Sequence, residues 1–295
     1  MFDFDRLIER RGTHASKWDN MQKVSGIDPA DGIPMWVADM DFGAPPGVVE
    51  ELRTFVDRGV YGYYADTGSW AEALGAWNSK RHGWVPEPDW VSPTPGIVSG
   101  LGLIMQAFSE PGDEIVVFPP AYHAFRRIIA NNNRRILDAQ LEERQGRYVM
   151  NLDALGDKLT ERTKIVFFCS PHNPGGTVWS VEEIRALAQF CADRDLIIVS
   201  DEIHCDLIFE GAKHTPTIVA APEVKDRLVT CVAGTKTFNL AGAHVGACVT
   251  SNPDLKARLD QRIAASGLAS YNAFGMIATE TAWRTGEAWL DELLP

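Results

Sequence analysis

Basic residues are scarce in this sequence: 28 Lys and Arg stand against 40 Asp and Glu, a formal net charge of -12. Without a dense Lys/Arg block, an acidic chain repels phosphate backbones and anionic headgroups, which excludes nucleic-acid and membrane-surface binding. The Arg126–Arg127 and Arg134–Arg135 pairs read as solvated helix or loop charges. Long apolar runs are missing too; none approaches the roughly 20 residues that span a bilayer. The opening MFDFDRLIERRGTH alternates charges where a signal peptide would carry an apolar core. Cysteine is sparse and scattered (Cys169, Cys191, Cys205, Cys231, Cys248), with no CxxC pair. That spacing argues against disulfides or a zinc framework and for reduced, buried thiols. A soluble, cytoplasmic chain is expected.

Of the 295 residues, 45% are hydrophobic and 23% charged, enough apolar material for one large domain or two smaller ones. From about residue 110 short apolar runs alternate with helical patterns. EIVVF (114–118), KIVFFCS (164–170), LIIVSD (196–201), LVTCVAG (228–234) and GACVTS (246–251) read as buried strands. AYHAFRRIIA is helix-like, and SVEEIRALAQFCADRD opens with a Ser N-cap and a Glu three residues on, a capping box. Two more helical patterns cover roughly 253–265 and 271–284. Strands apolar on both faces and alternating with helices predict an α/β fold: a mostly parallel sheet with helices on both faces. Residues 1–45, rich in Asp, Gly, Pro and Trp, read as an arm and a loop bordering the site.

In such sheets the ligand crevice lies beyond the carboxyl ends of the strands. Three motifs end apolar runs there: SPHNPGG with Asn173, IIVSDEIH with Asp201, and AGTKTFNLAG with Lys236. A Lys at the end of a buried strand is costly as an ammonium but well placed as an imine-forming amine. A buried Asp can partner the pyridinium nitrogen of pyridoxal phosphate (PLP). Strand alternation lets only one of Asp201 and Glu202 face the crevice. The rival reading, a metal held by Asp201, Glu202 and His204, lacks a fourth ligand, and no metal is expected. Asn173, before Pro174, is either a turn residue or a donor to a phenolate-like oxygen. The turn TPGIVSG opens an apolar helix whose N-terminal amides around Gly96, Ile97 and Val98 suit a phosphate. Tyr122 is either a platform for a planar cofactor or a cap on the core. His123 reads as exposed, His172 as a weak candidate, and His244 as a source of positive charge near Lys236.

WVADMDF, YGYY, KRHGW, TPGIVSG, HNPGG, SDEIHCDLIF, KHTP and TKTFNLAG together resemble the PLP-dependent C–S lyases of the MalY/PatB type. These are cystathionine β-lyase-like members of the class I/II aminotransferase superfamily, fold type I, and the resemblance runs from Phe2 to the last residue. It implies a seven-stranded-type sheet and a large PLP-binding domain over 46–284. Lys236 is implied to hold PLP and shuttle protons, Asp201 to pair with the ring nitrogen, and Asn173 to bond the ring's O3′. His204 stands where many aminotransferases carry a Tyr. Tyr122 is implied to stack on the ring, and the Gly96–Val98 backbone with the Thr235 hydroxyl to hold the phosphate. Tyr63 resembles a Tyr lent by the neighbouring subunit of a homodimer, with Tyr61 and Tyr64 close by. His244 replaces the Arg or Lys of many relatives and is a weaker phosphate partner. The resemblance further implies a C-terminal domain of roughly 100 residues, carrying the Arg that grips the substrate carboxylate. Residues 285–295 are expected to begin the helix leading to it, with the remainder absent. The implied reaction is cleavage of cystathionine or a related cysteine S-conjugate to a thiol, pyruvate and ammonia. The alternatives are an aminotransferase and a catalytically impaired PLP-fold protein with a binding or regulatory role.

Overall fold

In the computed structural model, residues 2–294 are described. Two short helices, Ser16–Asp19 (α1) and Met21–Ser25 (α2), precede Pro46–Asp57 (α3) and Gly68–His82 (α4). Strand Val91–Thr94 (β1) leads into Ile97–Phe108 (α5), then Glu114–Val117 (β2), His123–Asn131 (α6) and Arg135–Asp138 (β3). A hairpin of Glu142–Arg144 (β4) and Arg147–Val149 (β5), not foreseen from the sequence, is followed by Leu152–Gly156 (α7). Thr163–Cys169 (β6), Val181–Ala192 (α8), Ile197–Asp201 (β7), Thr217–Ala220 (α9) and Leu228–Val232 (β8) come next. The chain closes with Gly234–Thr237 (α10), Gly246–Val249 (β9), Pro253–Ala265 (α11), Ala273–Thr285 (α12) and Glu287–Leu293 (α13).

Seven strands form one sheet in the order β1-β9-β8-β7-β6-β2-β3. The run from β3 to β8 is parallel, whereas β9 is antiparallel to both β8 and β1. β1, twice reversed, therefore points the same way as β8. The sheet is buried on both faces, as its continuous apolar strands require. On one face α5, α6 and α11 close a core around Leu101, Ile104, Phe125 and Phe167. On the other, α8 packs Ile184 and Leu187 against Val166, Phe168 and Ile198. The predicted capping box holds: Ser180 Oγ accepts from Glu183 N at 3.2 Å, and Glu183 Oε2 accepts from Ser180 N at 2.8 Å.

A third core joins α3, α4, α12 and α13 to β1 and β9 around Trp70, Trp77, Phe238 and Trp289. The first residues pack here too, with Phe4 against Trp289 at 5.6 Å between ring centroids. All five cysteines are buried free thiols. Arg134 corrects the reading of its pair as solvated: its guanidinium donates to Ser109 Oγ at 3.0 Å, to Asn132 O at 2.7 Å and to Ser109 O, tying the end of α6 to α5. Among the described residues no helix is long and apolar enough to cross a membrane.

Candidate functional site

The parallel strands and β1 end at one edge of the sheet, and the loops there carry most of the singled-out residues. β6 and β7 end in register, Cys169 opposite Asp201, and Ser170 N donates to Asp201 O at 2.9 Å. Asp201 in turn pairs with Cys231 of β8, after which the chain turns into α10 with Lys236. Asn173 follows β6, Tyr122 follows β2, and Gly96 follows β1. Separate segments of sequence thus meet because their strands are neighbours.

Strand alternation separates the two adjacent acids. Glu202 turns to the far face, where it accepts from Ser200 Oγ at 2.8 Å, Thr217 N at 2.9 Å and His214 Nε2 at 3.1 Å. Asp201 faces the crevice, and among the described residues its side chain accepts one hydrogen bond, from Ile203 N at 3.3 Å. Burial, aided by the Glu202 charge, pushes its carboxyl up to about 7 against the pull of the Ile203 amide and Lys236. A buried carboxyl this poorly satisfied has room for a further hydrogen-bond donor.

Lys236 supplies the amine. Its Nζ donates to Ala38 O at 2.7 Å, and burial lowers its pKa although Asp39 and Asp201 oppose that shift. His204, half-buried, is pushed down to about 4 by burial and by Lys236, so its ring is neutral near pH 7. Tyr122 is half-buried, packs edge-on against Phe125 at 5.7 Å, and has its phenol pKa raised by burial and by the Asp201 charge. Thr235 is buried in the first turn of α10. Asn173 is half-buried in a loop pinned by His172, whose Nε2 lies 2.8 Å from Pro120 O. That contact gives His172 a structural place.

Gly96 caps α5 at φ 84, and nothing lies within 4 Å of where its Cβ would be. The amides of Ile97 and Val98 are the first of a 12-residue helix. Such a terminus suits an anion. His244 is exposed and left-handed at φ 49, at the rim. Tyr63 is 94% exposed and is not brought to the other residues within this chain. Its neighbours are engaged: Tyr61 Oη donates to Val56 O at 2.9 Å and Tyr64 Oη to Glu280 Oε2 at 3.3 Å.

Two contributors escaped the sequence reading. Asn239, left-handed at φ 57, donates to Met40 O at 2.9 Å and Phe42 O at 2.8 Å and accepts from Met40 N at 3.0 Å. It fastens the WVADMDF segment across Lys236. Asp206 accepts from Thr237 Oγ1 at 2.7 Å and anchors α10 from beneath. An Asn in a loop carries no signal of what it clamps; only the shared motif TKTFNLAG pointed to its neighbourhood. The residues present fit PLP by their chemistry: an amine, a buried carboxyl, an aromatic ring and a helix N-terminus follow the carboxyl ends of strands of one sheet.

Residues 31–292 match the family described as aminotransferase class I and II. The chain is 39% identical over 293 residues to cystathionine beta-lyase PatB of Bacillus subtilis, covering 99% of this chain and 75% of that one. The crystal structure of cystalysin from Treponema denticola, which contains a pyridoxal 5′-phosphate cofactor, is similar with a TM-score of 0.95 and 32% identity. That likeness covers 100% of this chain and 75% of cystalysin. The PLP-bound C–S lyase of Staphylococcus hominis is similar with a TM-score of 0.91 and 30% identity, over 99% of this chain and 73% of that structure.

Proposed function

Since the chain belongs to the class I and II aminotransferase family, we propose that it binds PLP through Lys236 and cleaves the carbon–sulfur bond of cystathionine or a related cysteine S-conjugate. The products are a thiol, pyruvate and ammonia. The observation that carries this reading is Asp201, a buried carboxyl with a single long hydrogen bond, facing the crevice that Lys236 shares. Likeness to PatB, cystalysin and the Staphylococcus lyase supports the lyase over other chemistries of the family.

When bound, PLP supplies an electron sink for charge developing at the substrate's α-carbon. The chain's residues do the rest. Asp201 keeps a proton on the ring nitrogen, so the sink stays electron-poor. The α5 amides and the Thr235 hydroxyl would hold the phosphate, and Asn173 and Tyr122 would hold the ring. Lys236, with its lowered pKa, accepts a proton from the α-carbon as general base and returns one later. Ala38 O holds the amine in place meanwhile. Tyr63 serves the neighbouring subunit of a homodimer, in keeping with its exposure while Tyr61 and Tyr64 are engaged at home.

Borohydride reduction followed by peptide mass spectrometry tests the attachment: the cofactor's mass is expected on the Lys236 peptide. Its appearance on another lysine, or on none, would overturn the assignment. Pyruvate release from cystathionine, compared with keto-acid-dependent amino transfer, then separates lyase from aminotransferase.

A further inference from the structure

Behind the cofactor crevice, α4, the turn after β7 and the segment before α9 bring a second set of side chains together. The ligand-bearing atoms of His82, Cys205 and Asp206 all lie within 4.8 Å of one another, the one such group of three among the described residues. The side chains of His82 and Asp206 are largely buried, 6% and 3% exposed. His214 stands beside them, 2% exposed, its ring 5.5 Å from that of His82 and nearly perpendicular to it. His214 Nε2 is taken by Glu202 at 3.1 Å, but its Nδ1 is buried with no hydrogen-bond partner. A buried nitrogen left without a partner is costly, and a native fold rarely tolerates one without a use. All four residues line a cavity of ≈ 150 Å³, several times the roughly 30 Å³ of one water.

We propose that His82, Cys205, Asp206 and His214 bind a divalent cation of the zinc class. Two imidazoles, a sulfur and a carboxylate are the mixed N/S/O set that zinc prefers in four-coordination, at about 2.0–2.3 Å from each ligand. Bonds of that length bring ligand atoms to about 4 Å or less from one another, so His82, Cys205 and Asp206 have to contract only modestly, while His214, which stands outside that group of three, has to swing toward them. A cation also offers His214 Nδ1 the partner it lacks. Atom balance is simple: the cation displaces the Cys205 thiol proton, and the His82 proton held at 2.8 Å from Asp206 Oδ1 moves to Nδ1, freeing Nε2 to ligate as a neutral imidazole. Anions are disfavoured, since the Asp206 carboxylate faces the same space. Of the two bases lining the cavity, Arg81 is paired with Asp291 at 2.7 Å and Lys213 is exposed. The cation would sit directly beneath the proposed PLP crevice, because Cys205 adjoins His204 and Asp206 holds Thr237 beside Lys236. The proposal stands on this geometry and is independent of the reaction above.

Co²⁺ is the probe, added to the purified whole protein. One equivalent should bind with the intense visible d–d bands of four-coordination and a near-UV thiolate charge-transfer band, both erased by Zn²⁺. Cys205→Ser should lose the charge-transfer band, and Cys205→Ser and His82→Asn should each weaken binding by more than about tenfold. Far-UV circular dichroism checks that the variants fold. Zn²⁺ should also raise the melting temperature of the unmutated chain, a rise that a chelator reverses. Absence of that rise, no Co²⁺ uptake, the weak spectrum of six-coordination, or an unchanged spectrum in either folded variant would each overturn the site.

Discussion

Asp201 shows how a single burial event becomes a pH dependence. Its carboxyl titrates near 7 in the fold, chiefly because it is buried, against 3.8 for an ordinary Asp. The folded, cofactor-free chain therefore holds a proton that the unfolded chain releases, and this group's contribution to stability falls as pH rises from about 4 to about 7. His204 does the opposite. Pushed down to about 4 from 6.5, it is neutral in the fold while the unfolded ring is protonated, so its contribution rises with pH across that span. Urea unfolding of cofactor-free Asp201→Asn should show the variant more stable than the parent at pH 8, by a few kcal/mol at most. The difference should shrink toward pH 4; parallel profiles would mean that Asp201 is ionised in the fold without cost. With PLP bound the order should invert, since Asn cannot hold the ring proton, and pyruvate release should fall by about 100-fold or more. The residues legible in the sequence were those whose type is costly where the strand pattern puts them, Asp201 and Lys236 foremost. Asn239 was not legible, because its role is to clamp a backbone some two hundred residues earlier and nothing nearby in the chain records that.

Elements were legible to the extent that their signals are local. The capping box marked the start of α8, and the apolar runs marked β6, β7 and β8. The direction of β9 was not legible, since pairing sense depends on what the connection does. Between β8 and β9 the chain makes only the four-residue α10 and short turns. No crossover helix covers the sheet there, so the strand returns antiparallel. That return lays β9 beside β1 and sets α5 tightly against it. A Cβ at Gly246 would meet Ile97 Cδ1 at 2.6 Å and Ile97 N at 3.3 Å, which is the first turn of the proposed phosphate-binding helix. Gly246→Ala should destabilise the fold by about 1–3 kcal/mol as an overpacking change. It should also weaken PLP affinity, measured by fluorescence titration, more than it alters the far-UV circular dichroism. If stability falls while PLP affinity holds, the α5 amides are not the phosphate site.

At the scale of the whole molecule, the surface leaves much apolar area uncovered. Ile33, Met35, Val60 and Tyr63 are all exposed, and exposed Tyr61 packs on both rings of the Phe55–Phe274 pair, whose centroids are 5.0 Å apart. Apolar exposure of this kind suits a subunit interface. If Tyr63 acts across it, Lys236→Ala and Tyr63→Ala proteins, each inactive alone, should complement when refolded together. Half of the dimers are then mixed, with one intact site in two, giving about a quarter of parental activity. Mixtures no more active than their parts would confine Tyr63 to its own chain. The order of the sheet has a further consequence, in time rather than space. Val91 of β1 pairs with Val249 of β9, so the strand before the proposed phosphate-binding turn has no partner on that side until the chain is made through residue 249. On the ribosome, the other loops are synthesised before this pairing can close. A nascent chain arrested short of Val249 should therefore fail to capture cofactor, however complete its lysine, aspartate and asparagine motifs already are.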